Sequence, residues 1–292
     1  MIIWLASYPK SGNTWVRTII GQLINNNYDS SKVFEKSKDI RLYPSKVDFI
    51  DLDDDFKAKF YSSELKKKIF DKTVVNWHTS QSKINLKKQI QIFKTHNMLC
   101  KLKVDNKYYS FTNLENSGGS IHIVRDPRNV LTSLINHFSF TDEDEAFEFI
   151  SNENQTIGLE ENAIPQLLSS WKNHYNSWKR FPKNNLLIKY EDLVYNPKKQ
   201  IERLVVFLSK LFKVSVTETQ INKVILNSSF DNLQNLEKVG KFNENAFNTK
   251  IGMEKKFFHL GVKNDWKKML NKKILLKIEN IFNKEMLELG YL

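Results

Sequence analysis

Apolar positions along the chain fall into short runs and helical stripes separated by polar turns. Residues 2–6 form a short apolar run, and residues 7–14 supply Pro9, Gly12, small hydroxyls and Lys10. From Trp15 onward, Val16, Ile19, Ile20, Leu23 and Ile24 recur at helical spacing. The opening therefore predicts strand, loop, helix. Residues 120–124 repeat this arrangement, because a buried strand runs straight into Arg125-Asp126-Pro127-Arg128-Asn129-Val130. Asp126 suits an N-cap and Pro127 a first helical position, so a helix through Leu131, Leu134, Ile135 and Phe138 is expected there. Further strands are expected at 73–77, 89–93 and 186–190. Pro165 is expected to open a helix bearing Leu167, Leu168, Trp171, Tyr175 and Trp178. Asn196-Pro197 caps another with Ile201, Leu204, Val205 and Leu208, and a final helix carries Trp266, Leu270, Ile274, Ile278, Phe282 and Met286.

Between these elements the pattern weakens. Residues 25–72 read as connecting helices and loops, with Asp51 and Asp53 to Asp55 in an acidic run and Phe56, Phe60, Leu65 and Ile69 in a mixed amphipathic stretch. Residues 105–119 carry turn signals and end in Gly118-Gly119. Residues 141–161 are acidic and loop-like, and residues 227–258 are rich in Asn, Lys and Phe with little periodicity. Long irregular segments in a compact domain are often functional lids, so 139–165 and 227–258 are expected to cap the site. Strands alternating with helices indicate an α/β class. With no internal repeat and no linker rich in Pro, Gly or Ser, a single domain over 1–292 is expected.

Composition narrows the class. At 292 residues, 40% hydrophobic and 12% aromatic, the chain can bury a large core. Its single cysteine, Cys100, excludes an intramolecular disulfide framework and fits a reducing compartment. No apolar run approaches the length of a membrane span, and the N-terminal run is too short for a signal peptide, so a cytoplasmic protein is expected. The net charge of +12 suits an anionic ligand. Only six of the basic residues are Arg and the lysines are scattered, which argues against nucleic acid.

The candidate chemistry sits at strand ends. A loop that delivers backbone N–H groups to a helix N-terminus, with Lys10, Ser11 and Thr14 beside it, is suited to phosphate or sulfate, although an ordinary turn with a solvated lysine shows the same local pattern. The strand expected at 89–93 ends in Lys94-Thr95-His96. Side chains alternate along extended chain, so Lys94 and His96 would point the same way, beyond a strand's carboxyl end where α/β sheets bind ligands. Arg125 occupies the corresponding position after its strand, with Ser133 farther along the helix. Alone, Arg125 could equally pair with a carboxylate.

Together these residues resemble the PAPS-dependent sulfotransferases, the cytosolic type and its bacterial relatives, PAPS being 3′-phosphoadenosine 5′-phosphosulfate. Tyr8-Pro9-Lys10-Ser11-Gly12-Asn13-Thr14-Trp15 is similar to the family's 5′-phosphosulfate loop, and Arg125 with Ser133 to its 3′-phosphate motif. Lys94-Thr95-His96 is similar to its catalytic-base segment, and Tyr190-Glu191-Asp192 to its strand-end tyrosine motif. Ser228-Ser229-Phe230 is similar to its nucleotide-contacting turn, and residues 261–266 to its late glycine and Asp-Trp motif. The resemblance implies a P-loop-like three-layer α/β fold whose central, mostly parallel sheet has about four to five strands flanked by helices. It departs where the family has Arg-Lys-Gly and this chain has His259-Leu260-Gly261, and where Asn264 replaces the usual Gly before Asp-Trp. Lys255, Lys256 and Lys263 are the candidates to replace the missing cations.

The resemblance implies sulfuryl transfer from PAPS, without a metal, to a hydroxyl or amine of a small-molecule or saccharide acceptor. Lys10 would neutralise the bridging oxygen, His96 would take the acceptor proton, and Lys94 would contact the sulfuryl oxygens. Ser133 and Arg125 would grip the 3′-phosphate, Ser11 and Thr14 the 5′-phosphate, and Trp15 would pack on the adenine, with Gly12, Asn13, Tyr190, Ser228 and Gly261 completing the nucleotide site. Nucleic acid and a membrane span are not expected, and the oligomeric state stays open, a homodimer included. Two alternatives remain. A P-loop kinase would need its Lys after the glycines, whereas Lys10 precedes Gly12. An inactive anion- or nucleic-acid-binding module would not need Lys10, Lys94 and His96.

Overall fold

The computed structural model describes residues 1–45, 48, 63–85, 89–158, 164–242, 246–248 and 253–292. Its central sheet has four strands, β1 (Ile2–Ser7), β2 (Gln91–Thr95), β3 (Ser117–Val124) and β4 (Asn184–Lys189), in the order β2-β1-β3-β4. β1 and β2 are parallel, with Ile2 opposite Gln91 and Ala6 opposite Thr95. Every residue of β1 and β3 is buried, as expected for strands covered on both faces. Each strand runs directly into residues singled out in the sequence: β1 into Tyr8 to Gly12, β2 into His96, β3 into Arg125 and β4 into Tyr190.

Contacts divide the chain into two compact units. The first comprises Met1–Tyr8, Arg41–His122 and Ser151–Leu187. Its core centres on Trp4, whose ring centroid lies 5.3 Å from those of Tyr43 and Phe111 and 6.4 Å from those of Phe93 and Trp178. The Trp4 indole N–H donates to Ser117 Oγ at 2.9 Å, so the ring is buried without losing a hydrogen bond. The second unit comprises Pro9–Ile40, Ile123–Ile150 and Ile188–Leu292. It contains an aromatic cluster of Phe34, Phe242 and Phe258 with Val33, Leu233 and Leu236, against which Trp15, Phe230 and Phe257 pack.

Two site-bearing helices form as expected. α1 (Asn13–Asn25) follows Gly12, and α2 (Pro127–Phe138) starts with Asp126 accepting from Arg128 N–H and Pro127 in its first turn. Other expectations are corrected. The strand expected at 73–77 lies within the helix Ser63–Asn85. Ile69, Thr73, Trp77 and Gln81 are buried there at four-residue spacing, and this stripe outweighs the β-propensity of Thr73-Val74-Val75. The helix expected from Pro165 starts only at Trp171, because Ser170 caps the Asn173 N–H and Gln166–Leu167 pairs with Thr156–Ile157. The acidic 141–161 stretch contains a helix, Glu143–Ser151, and the 227–258 stretch contains Phe230–Lys238, capped by Ser229.

The final helix is three: Trp266–Met269, Lys272–Ile281 and Asn283–Leu289. Extended backbone at Leu270 and a new N-cap at Asn271 interrupt the stripe. Of residues 51–56 and 60, also singled out, none lies within the described part. Among the described residues no helix is long and apolar enough to cross a membrane.

Candidate active site

The anion loop belongs to the second unit from Pro9 onward. Lys10 has φ 64° and Gly12 φ 103°, so two of three consecutive residues lie in the left-handed region, which turns the chain sharply into α1. Gly12 has no alternative. A Cβ there would come within 2.8 Å of Tyr190 Cδ2, in a backbone conformation that L-residues rarely adopt. No side chain caps the α1 N-terminus. Ser11, Asn13 and Thr14 are buried around it, and Ser11 Oγ has no hydrogen-bond partner.

Arg125 and Tyr190 complete this corner. The Arg125 guanidinium lies 4.0 Å from the Tyr190 ring centroid, and its Nη1 donates to the Lys10 carbonyl at 3.1 Å. Arg125 Nε is buried without a partner, and so is Trp15 Nε1, whose ring meets the Tyr190 ring edge at 5.4 Å between centroids. Tyr190 thus touches the loop glycine, the helix tryptophan and the strand-end arginine. Burial, then the Arg125 charge, lowers the Lys10 pKa to about 8, with Glu237 acting in the opposite direction. Burial pushes the Tyr190 phenol up. Arg128, two residues past Asp126, is tied into ion pairs with Asp126 and Glu279 at 2.7 Å each. Buried, unpartnered donors beside two cations and a helix N-terminus fit a phosphate or phosphosulfate group.

Two residues of this corner escaped the sequence reading. The Phe257 ring centroid is 4.1 Å from Lys10 Nζ, and Glu237 accepts the backbone N–H groups of Phe257 and Phe258. The segment around Phe257 therefore touches the anion loop. Ser133 is half-buried on α2. Ser228 is buried, and its hydroxyl donates to the Val224 carbonyl, while Gly261 (φ 54°) lies so close to Phe230 that a Cβ would sit 2.3 Å from the ring. The late glycine and the Ser228–Phe230 turn are thus packed together.

Asn264, standing where the resemblance leads one to expect a glycine, is built into the packing of the late loop. Asn264 is 7% exposed; its side chain accepts from Thr132 Oγ1 at 2.8 Å and donates to the Asn129 carbonyl at 2.8 Å. Trp266 N–H donates to Asn129 Oδ1 at 3.1 Å. Asn264 binds the loop to α2 beside Ser133, a role a glycine there could not play. His259, Lys256 and Lys263 are exposed, and Leu260 is half-buried.

The first unit holds Lys94 and His96. Both are half-buried, whereas the alternating Phe93, Thr95 and Asn97 are buried, so the expected common face is observed. His96 Nδ1 lies 2.7 Å from the Ser7 carbonyl. A carbonyl only accepts, so Nδ1 carries the proton and the neutral ring's lone pair is on Nε2. Behind it His174 is hydrogen-bonded to the His96 backbone and meets Tyr8 edge-on at 5.6 Å between centroids. Burial, then the neighbouring His122 and His96, lowers the His174 pKa well below its ordinary value, and burial lowers that of His122 to about 3.

Known proteins resemble this chain over most of its length. The dog protein Sulfotransferase 1B1 is 24% identical over 97% of this chain and 83% of its own length. Cytosolic sulfotransferase 8 of Arabidopsis thaliana is 25% identical over 97% of this chain and 76% of its own. A solved retinol dehydratase in complex with androsterone and PAP superposes with a TM-score of 0.58, covering 98% of this chain and 80% of that one at 18% identity. A mouse sulfotransferase complexed with PAP gives 0.57, with 98% and 84% coverage, also at 18% identity. The family profile described as Sulfotransferase domain matches residues 2–290, and the chain belongs to that family.

Proposed function

We propose that this protein transfers a sulfuryl group from PAPS to a hydroxyl, or an amine, of a small-molecule or saccharide acceptor, with His96 as general base. The observation that carries this reading is the buried anion corner built from Lys10, Ser11, Gly12, Arg125 and Tyr190; the His96 tautomer, which leaves Nε2 to accept a proton, supports the choice of base. The donor supplies an activated sulfuryl group on a phosphate leaving group. The chain's own contribution is alignment and charge stabilisation.

Lys10 neutralises the negative charge that develops on the bridging oxygen as the sulfur–oxygen bond breaks. Ser11, Asn13 and Thr14, with the backbone at the start of α1, hold the 5′-phosphate. Arg125 and Ser133 hold the 3′-phosphate, and Trp15, Tyr190, Ser228 and Gly261 bound the nucleoside. His96 Nε2 removes the acceptor proton, and the Ser7 carbonyl stabilises the resulting imidazolium through Nδ1–H. Lys94 contacts the sulfuryl oxygens during transfer. The androsterone and PAP carried by the retinol dehydratase structure make an apolar alcohol a sensible first acceptor to try.

The test has two parts. Adenosine 3′,5′-bisphosphate should raise the melting temperature by mass action, and the absence of a shift at millimolar nucleotide would remove the donor assignment. His96→Ala should retain that shift and lose transfer from labelled PAPS; normal turnover would remove the base assignment.

A further inference from the structure

Beyond the end of β2 the sheet no longer dictates backbone geometry. Along β2 the Lys94 N–H bonds on the edge away from β1, to the Arg41 carbonyl at 2.9 Å, and the His96 N–H, two residues on, faces that same edge just past the strand's end. A side chain supplies the acceptor: Gln166 Oε1 takes the His96 N–H at 3.0 Å. Gln166 is only 5% exposed. The neighbouring bonds follow the same route. Leu167 N–H donates to Asn97 Oδ1 at 2.9 Å, Met98 N–H to the Leu167 carbonyl at 2.8 Å, and Leu99 N–H to Ser177 Oγ at 2.9 Å. The Trp178 indole donates to the Asn97 carbonyl at 2.8 Å, and His174 bonds the His96 backbone.

Residues 96–99 are therefore held, one after another, by the segment 166–178, and Gln166 makes the bond at the residue that carries the imidazole. The ring is held at Nδ1 by Ser7, whose carbonyl lies at 2.7 Å and whose hydroxyl lies at 3.3 Å. Its direction then depends on where the His96 backbone sits.

We propose that Gln166 is a positioning residue for His96: by accepting the His96 N–H it sets the angle at which the imidazole leaves β2 and keeps Nδ1 on the Ser7 carbonyl. This rests on the reading of His96 as the base. It predicts an effect on turnover without one on donor binding, because Gln166 and His96 belong to the first unit and the anion corner to the second.

The experiment compares Gln166→Met, which removes the acceptor at similar length, with Gln166→Glu, which keeps an oxygen there. Transfer from labelled PAPS to 2-naphthol is measured beside calorimetric binding of adenosine 3′,5′-bisphosphate and ¹⁵N shifts of the His96 ring, assigned by their loss in His96→Ala. Gln166→Met should lower kcat about ten- to a hundredfold, the cost of an ångström-scale misplacement. It should leave nucleotide Kd within about twofold and shift the ring nitrogens away from the Nδ1–H pattern. Gln166→Glu should recover the Nδ1–H pattern and most of the rate.

An unchanged Nδ1–H pattern in Gln166→Met overturns the proposal, and so does a parallel loss of turnover and nucleotide binding that Gln166→Glu fails to restore. Should 2-naphthol not be turned over by the unmodified protein, the ring shifts alone decide. Activity in His96→Ala would remove the base assignment, whereas the influence of Gln166 on the ring is read independently of it.

Discussion

The Arg125 guanidinium rests on the face of the Tyr190 ring, 4.0 Å from its centroid, while the same ring fills the space above Gly12 where a Cβ would be. Tyr190 therefore aligns an arginine and shapes a glycine turn at once. Arg125 keeps its forked N–H groups directed by the stack and by the Lys10 carbonyl, so a ligand phosphate need not order them at binding.

Replacing Tyr190 separates these roles. Tyr190→Phe keeps the ring face and should bind adenosine 3′,5′-bisphosphate within about threefold of the unmodified protein, since a phenyl ring preserves most of a cation–π contact. Tyr190→Leu loses the contact, worth about 0.5–2 kcal/mol, and should weaken binding roughly threefold to thirtyfold. Isothermal calorimetry at fixed salt measures both. Equal affinities for the two variants would show that the stack does not orient Arg125.

The pKa of Lys10 gives a pH prediction. Burial and the Arg125 charge lower it to about 8 in the free protein. An anionic nucleotide favours the protonated form, so above pH 8 binding must be accompanied by proton uptake. Affinity for adenosine 3′,5′-bisphosphate should fall as pH rises from 8 towards 10, by up to about tenfold per unit. Lys10→Arg, protonated throughout, should remove most of that fall. Identical profiles for the two proteins would mean that Lys10 is not the titrating group.

Much of the site was legible in sequence because strand ends and helix starts carry local signals. The Asp126-Pro127 junction, the Lys94/His96 alternation and the Gly12 turn each depend on residues within a few positions of one another, and each appears in the structure as expected. What escaped depends on distant contacts. Nothing near Gln166 in sequence shows that it meets His96, 70 residues away, and nothing near Asn264 shows that it meets Thr132. The error at 73–77 has the same origin, since Thr73-Val74-Val75 favours a strand locally and only the buried stripe from Ile69 to Gln81 makes it helical.

Asn264 offers a direct test of how the late loop is held to α2. Asn264→Gly introduces the glycine that the sequence resemblance leads one to expect and deletes the bonds to Thr132 and Asn129, leaving Thr132 Oγ1 without one of its partners. Such a loss typically costs about 1–3 kcal/mol. The melting temperature should fall, and bisphosphate affinity should fall with it if the late loop must be held against α2 to bind nucleotide. Urea unfolding and calorimetry on the same preparation separate the two effects. A variant as stable as the parent would show that the asparagine bonds add nothing net to stability.

Acid should destabilise this protein partly through His122. Both of its ring nitrogens are buried without partners, its ring stacks on Tyr175 at 5.7 Å between centroids, and His174 lies 6.1 Å away. Burial lowers its pKa from 6.5 to about 3. Between these values the unfolded chain binds a proton that the folded one excludes, so stability is lost as pH falls below 6.5, at up to about 1.4 kcal/mol per unit. His174, also lowered, contributes in the same direction. His122→Phe removes the titrating group and two unpaired nitrogens while keeping a flat ring against Tyr175. Urea unfolding at pH 7, 5.5 and 4.5 should find the variant at least as stable at pH 7 and increasingly more stable than the parent towards pH 4.5. Parallel stability curves would show that His122 takes up no less of its proton in the folded state than in the unfolded one, and would place the acid sensitivity elsewhere.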